Sequence, residues 1–155
     1  MDELTTITDA KSAAFVLNCR FETALERVRR AIRAGGLSIA AEIDAARRVK
    51  RALRIRVSPC RVLLVDNPFL MLQAASIDRA SGVLIPLHVV VSSAGSRTIV
   101  HLLNPASIQL NELPIGVRAP LVDLRSELFR LLSGVADTVH LGRDASQECA
   151  AFTLG

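Results

Sequence analysis

Three histidines and three cysteines are the side chains of this 155-residue chain best suited to chemistry near neutral pH. His88 and His101 flank the segment Ser92-Ser93-Ala94-Gly95-Ser96-Arg97, whose composition signals a hairpin. If the turn centres on Ala94-Gly95, His88 opposes His101, with Cβ atoms about 4.5–5.5 Å apart. Two imidazoles at that separation can form an acid/base pair. They can instead share a metal, with Glu42 or Asp66 as a third, carboxylate ligand. On the same face Val90 would oppose Ile99 and Pro86 would oppose Leu103, the apolar setting of a small-molecule pocket. The plainer reading keeps each histidine in a core or an interface, bonded to a backbone carbonyl. A one-residue bulge would send the two to opposite faces. No third ligand is fixed by spacing, and no cofactor is identified.

Asp66-Asn67-Pro68 is a second candidate, because it stands where a strand feeds a helix. Asn67 is suited to cap that helix and Pro68 to begin it. Asp66 would repel an anion, which argues against a phosphate site there. His140 reads as a solvent-exposed residue near the tail. Cys19, Cys60 and Cys149 have no CxxC spacing and read as reduced thiols. The chain has no GxGxxG, GxxxxGK[ST], HExxH or GxSxG motif.

Charge is unevenly placed. Residues 20–61 hold twelve Lys and Arg against four acids, Glu22, Glu26, Glu42 and Asp44, although the whole chain carries only +4. A basic surface of Arg27, Arg30, Arg47, Arg48 and Arg51 is suited to nucleic acid or an acidic partner. No Tyr or Trp interleaves it for base stacking, so nucleic acid ranks last and a solvated face is the default. At 50% hydrophobic and 22% charged residues, the composition excludes a disordered chain, and three cysteines exclude a disulfide scaffold. The chain opens acidic, with Met1-Asp2-Glu3, and no secretory signal pattern follows. The longest apolar runs, residues 62–65 and 83–91, fall short of the ~20 residues needed to span a bilayer. The expectation is a soluble, cytoplasmic protein with no membrane partner.

The elements that must position these residues read as follows. Residues 13–17 form a strand. Residues 21–34 form a helix with Phe21, Leu25, Val28 and Ile32 at helical spacing and Gly35-Gly36 as its stop. Residues 37–43 form a strand, and Asp44 caps a helix over 45–53. A strand over 61–65, a helix over 69–77 and strands over 83–91 and 98–103 come next. An amphipathic helix over 121–135 follows Pro120 and carries Leu121, Leu124, Leu128, Leu131 and Val135 on one stripe. The order is β-α-β-α-β-α-β-β-α. It predicts an α+β, two-layer sandwich with a mixed sheet of about five strands and helices on one face. Residues 1–12 read as a flexible arm, 13–110 as the α+β core, 111–141 as loop and C-terminal helix, and 142–155 as a flexible tail.

The first hairpin strand is apolar on both faces: Leu87, Val89 and Val91 on one, Pro86, His88 and Val90 on the other. A strand wetted on one side should alternate. The helices over 21–34, 45–53 and 69–77 can cover only one face. The other face calls for the C-terminal helix, a second subunit or an apolar ligand, and a second subunit is favoured.

Residues 21–43 (FETALERVRRAIRAGGLSIAAEI), 61–68 (RVLLVDNP) and 83–105 (VLIPLHVVVSSAGSRTIVHLLNP) together resemble the domain of unknown function 302 family. The resemblance covers roughly residues 13–110. It implies a small α+β domain, alone or fused to others and often dimeric, with no assigned activity. Many members have Cys before Asn-Pro and after Leu-Pro, where this chain has Asp66 and Leu87, so thiol chemistry does not carry over.

The leading expectation is a non-catalytic domain that self-associates through a sheet or helix face, as a dimer, and holds a small apolar ligand at Asp66, Asn67, Glu42, Val90 and Ile99. The competing expectation is an enzyme for a small hydrophobic substrate, with His88 and His101 as acid/base pair or metal ligands.

Overall fold

A computed structural model describes residues 12–80, 86–103 and 114–141. The proposed arm, the tail with Cys149, and the close of the hairpin at Asn104-Pro105 lie outside these residues. Ten elements follow in chain order. They are β1 (Ser12–Leu17), α1 (Phe21–Ala34), β2 (Ser38–Asp44), α2 (Ala45–Leu53) and β3 (Cys60–Asp66). They continue with α3 (Pro68–Ile77), β4 (Leu87–Ala94), β5 (Arg97–Leu103), α4 (Ile115–Val135) and β6 (Thr138–Leu141).

The strands form one sheet in the order β2-β3-β4-β5-β1-β6. Every neighbouring pair is antiparallel, so the expected mixed sheet is corrected. Helical connections do not force parallel pairing when consecutive strands sit side by side and reverse, as β2, β3, β4 and β5 do here. The sixth strand, β6, escaped the sequence reading because four residues carry little period. Asp137 holds it in place: its backbone N–H donates to the Val16 carbonyl at 2.8 Å. Its carboxylate oxygen Oδ2 accepts from the Asn18 N–H at 2.7 Å.

One sheet face is covered by α1, α3 and α4. Helix α1 turns Phe21, Ala24, Leu25, Val28 and Ile32 inward, the i, i+3, i+4 stripe expected of it. Gly36, at φ +79°, ends it in the left-handed region that glycine enters freely. Helix α4 contributes Val117, Leu121, Leu124, Leu128 and Leu132, all fully buried. These meet Phe15 and Leu17 of β1, Leu63 and Val65 of β3, Val89 and Val91 of β4, and Val100 and Leu102 of β5 in one core. Phe15 and Phe129 stack edge to face, with ring centroids 5.4 Å apart.

Two expectations about the layers change. The C-terminal helix packs with α1 and α3 on their side of the sheet, and so does not shield the opposite face. It begins six residues before the expected start and carries Pro120 inside it, because Val117 and Pro120 are themselves buried against the core. Helix α2, expected in the covering layer, buries no residue at all.

An ion-pair cluster fastens α1 to the exposed edge of the sheet. Glu42 of β2 points to the helix side, where Arg29 donates to it through Nε and Nη2, both at 2.6 Å. Arg61 of β3 lies 3.7 Å from Glu42 and 3.4 Å from Asp44. Arg29 holds the Glu42 carboxyl below the usual carboxylate range, against the opposing pull of partial burial. Glu42 in turn raises Arg29. A lowered folded carboxyl means fewer bound protons in the native state. The pair therefore stabilises fully above the ordinary Glu value of about 4.3 and fades as pH falls through the lowered one.

Helix α2 ends at Arg54, whose φ of +60° makes it the one non-glycine residue with positive φ among the described residues. Its backbone N–H donates to the Lys50 carbonyl and closes the last turn.

Two outcomes test these devices. Glu42→Gln should lower the unfolding free energy at pH 7 by about 1–2 kcal/mol, trimmed by solvent at the sheet edge. The gap from the parent should narrow in urea titrations below about pH 4. Arg54→Gly should raise the unfolding free energy by up to about 1 kcal/mol, read as a higher urea midpoint, because it relieves the left-handed Cβ contact at some cost in chain entropy.

Candidate functional site

Hairpin register decides the histidine geometry. Ala94 pairs with Arg97, so the turn is Gly95-Ser96, one residue beyond the expected centre. Gly95 has φ +66° while Ser96 does not enter positive φ, the pattern of a two-residue hairpin turn with glycine first. The shift moves every partner by two places. His101 therefore pairs with Val90 and not with His88, and Ile99 pairs with Ser92 and not with Val90. A two-residue shift keeps each side chain on its face, so His88, Val90, Ile99 and His101 still share the side opposite the helices. His88 is exposed and His101 buried.

The same face gains a histidine that was expected near the tail and in solvent, and that is instead half-buried on β6. Ala14 pairs with His101 on one side and with His140 on the other. Thus all three histidines of the chain stand on one sheet face: His88 on β4, His101 on β5 and His140 on β6. His101 and His140 are two strand spacings apart, roughly 10 Å between backbones. Among the described residues, no three His, Cys, Asp or Glu side chains converge as a metal site.

Among the described residues, the carboxylates offered as third ligands do not complete a metal site with the histidines. Glu42 lies on the helix side of the sheet and is taken by Arg29. Asp66 closes β3 two residues past Leu64, the partner of His88. It is 6% exposed, and its Oδ1 has no hydrogen-bond partner among the described residues. Asn67 is a helix cap as expected: its Oδ1 accepts from the Phe69 N–H at 3.0 Å, and Pro68 starts α3. The five residues grouped for a ligand are therefore not gathered into one pocket. Val90 and Ile99 line the sheet face, Asp66 and Asn67 stand at the end of β3, and Glu42 lies on the other side.

The sheet face opposite the helices is uneven. Ala14, Val16, Ile99 and His101 are buried on β1 and β5. Across β2, β3 and β4 a row of Ile43, Val62 and Val90 continues it. Val62, Leu64 and Val90 are half-buried, and Ile43 is 37% exposed.

A more open apolar surface lies on α3, and sequence reading missed it. The helix PFLMLQAASI is apolar almost all round, and Ala74 is its one fully buried residue. Leu70 and Met71 pack partly against the core. Phe69 and Leu72, one turn apart, are 66% and 65% exposed. The signal was present, because Gln73 and Ser76 are the helix's two polar side chains and leave large apolar residues on its outer side.

The basic residues divide by helix. Arg27 and Arg30 of α1 line a shallow groove beside Glu22 and Glu26. Arg47 of α2 lines a separate cleft, and Arg48 and Arg51 stand exposed. Among the described residues, no helix is long and apolar enough to cross a membrane.

Comparison with known proteins agrees with this architecture. No curated protein matches the chain in sequence. The fold is similar to the crystal structure of an uncharacterized conserved DUF302 protein from Bacillus stearothermophilus. The TM-score is 0.71 at 14% identity, over 80% of this chain and 97% of that one, a likeness of fold. A family model described as "Domain of unknown function DUF302" matches residues 14–132. That span runs from within β1 to the last turn of α4 and takes in most of the core, and the chain belongs to the DUF302 family.

Proposed function

We propose that this chain is a non-catalytic module that self-associates through the outer side of α3. The observation that carries the reading is the pair Phe69 and Leu72, which stand about two-thirds exposed on the outer side of the helix beside Gln73 and Ser76. Adjacent aromatic and aliphatic side chains left in water are the usual mark of a contact surface. Burying them against a second copy would return about 25 cal/mol for each Å² of apolar area removed from water. A twofold arrangement needs only one such surface, because each copy presents the same patch to the other. Cys19 and Cys60 keep their thiols, which suits a reducing compartment such as the cytoplasm.

The helix side is favoured over the sheet face by exposure: Val62, Leu64 and Val90 are already half-buried in the single chain. Sedimentation velocity and native mass spectrometry at micromolar concentration should show a dimer. Phe69→Glu with Leu72→Glu should convert it to a folded monomer, whereas Val62→Lys should leave it a dimer. A monomeric parent protein, or a dimer lost in the Val62 variant and kept in the α3 variant, would refute the assignment. The same spectra report any apolar molecule carried through purification.

A further inference from the structure

Beside α2 the chain walls a cleft of about 710 Å³, within the size range of small-molecule sites. Its walls come from five parts of the fold: the start of α1, the end of β2, the first two turns of α2, the connector after it, and the first two residues of β3. Phe21, Ala46, Val57 and Cys60 give it an apolar floor, and Phe21 and Cys60 are buried. Arg47, Lys50, Arg56 and Arg61 give it cations, against the carboxylates of Asp44 and Glu22.

The balance of charge left for a ligand follows from the internal pairs. Asp44 is occupied: Oδ1 accepts from the Arg47 backbone N–H at 2.9 Å, and Oδ2 lies 3.4 Å from Arg61. Arg61 is occupied by Asp44 and Glu42. The side chains of Arg47, Lys50 and Arg56 are exposed and have no ion-pair partner among the described residues. Glu22 is the one lining acid outside these pairs. The rim is therefore positive over an apolar floor. The connector is also fixed in place. Arg54 turns the chain in the left-handed region, and the Pro59 carbonyl accepts from the Ser93 N–H at 2.9 Å.

We propose that this cleft binds a small amphipathic anion: a molecule with an aromatic or aliphatic body for the floor, and a sulfonate, carboxylate or phosphate head for Arg47, Lys50 and Arg56. A bare anion would leave the half-buried Ala46 and Val57 open to water, and a neutral apolar molecule would leave the three cations unanswered. This is a different surface from α3 and does not depend on self-association.

The test uses 8-anilinonaphthalene-1-sulfonate as the probe and N-phenyl-1-naphthylamine, which lacks the sulfonate, as its neutral counterpart. Fluorescence titration should show saturable binding of the sulfonate, one per chain, and clearly weaker binding of the amine. Arg47→Gln with Lys50→Gln should weaken sulfonate binding roughly tenfold, the loss of two charge contacts. Arg56→Gln, on the connector and outside the helix, should weaken it in the same direction. Arg48→Gln with Arg51→Gln removes the same charge from the same helix without touching the cleft and should change little. Equal weakening in the two double variants would overturn the site, because charge alone would then explain binding. Equal affinity for the two dyes would overturn it as well. So would binding that disappears in Phe69→Glu with Leu72→Glu yet survives Arg47→Gln with Lys50→Gln, since the dye would then sit on α3. Circular dichroism of each variant establishes that it is folded.

Discussion

Antiparallel pairing of six strands makes a sheet with two faces, and the three helices that pack on it all lie on one of them. Most of the structure follows from that arrangement. The helix side receives the whole of the large core, with α4 packing Leu121, Leu124, Leu128 and Leu132 into it against α1, α3 and β1. Once α4 fills that layer, α2 has no place in it and buries none of its residues. A helix that owes nothing to the core is free to carry Arg47, Arg48, Lys50 and Arg51, because charged residues are almost never buried unpaired. The segment's excess of arginine is thus a consequence of where α2 sits, outside the packed layers.

The sequence showed the elements more clearly than their partners. Five strands and four helices were legible because each carried its own signal: the stripe from Phe21 to Ile32, the Gly35-Gly36 stop, the Asp44 and Asn67 caps, and the apolar runs of β3 and β4. β6 was not legible, since Thr138–Leu141 is too short for a period and its place is set by Asp137, whose bonds reach back to β1. The sheet's all-antiparallel pairing was hidden for a similar reason. It depends on which strands become neighbours, and an alternation of strands and helices suits both kinds of sheet.

The candidate site was legible in part. Placing His88 and His101 on one face needed only the parity of the strands, and parity survives a two-place change of register. Pairing them needed the turn itself. Ala94-Gly95 and Gly95-Ser96 differ by one residue, and the second lets Gly95 take the positive φ of a two-residue turn. Glu42 was offered as a third ligand for its carboxylate, and the alternation of its strand cannot say which side faces the helices. Its position became clear only with Arg29 bonded to both carboxylate oxygens.

Those same ion pairs give the exposed cations their meaning. Arg29 and Arg61 stand in the same basic segment as Arg47, Lys50 and Arg56, yet the first two are held by Glu42 and Asp44 at the sheet edge. Acidic residues in this segment are few, and two of the four are engaged in fastening α1 and β3 to β2. The positive charge that remains unpaired is therefore concentrated where the carboxylates run out, along α2 and the connector. The apolar surface of α3 lies on a different element, attached to the core through Leu70, Met71 and Ala74. The two surfaces share no residue, so substitutions in one leave the chemistry of the other intact. A domain of this size can present both because the large core on the helix side already holds the sheet.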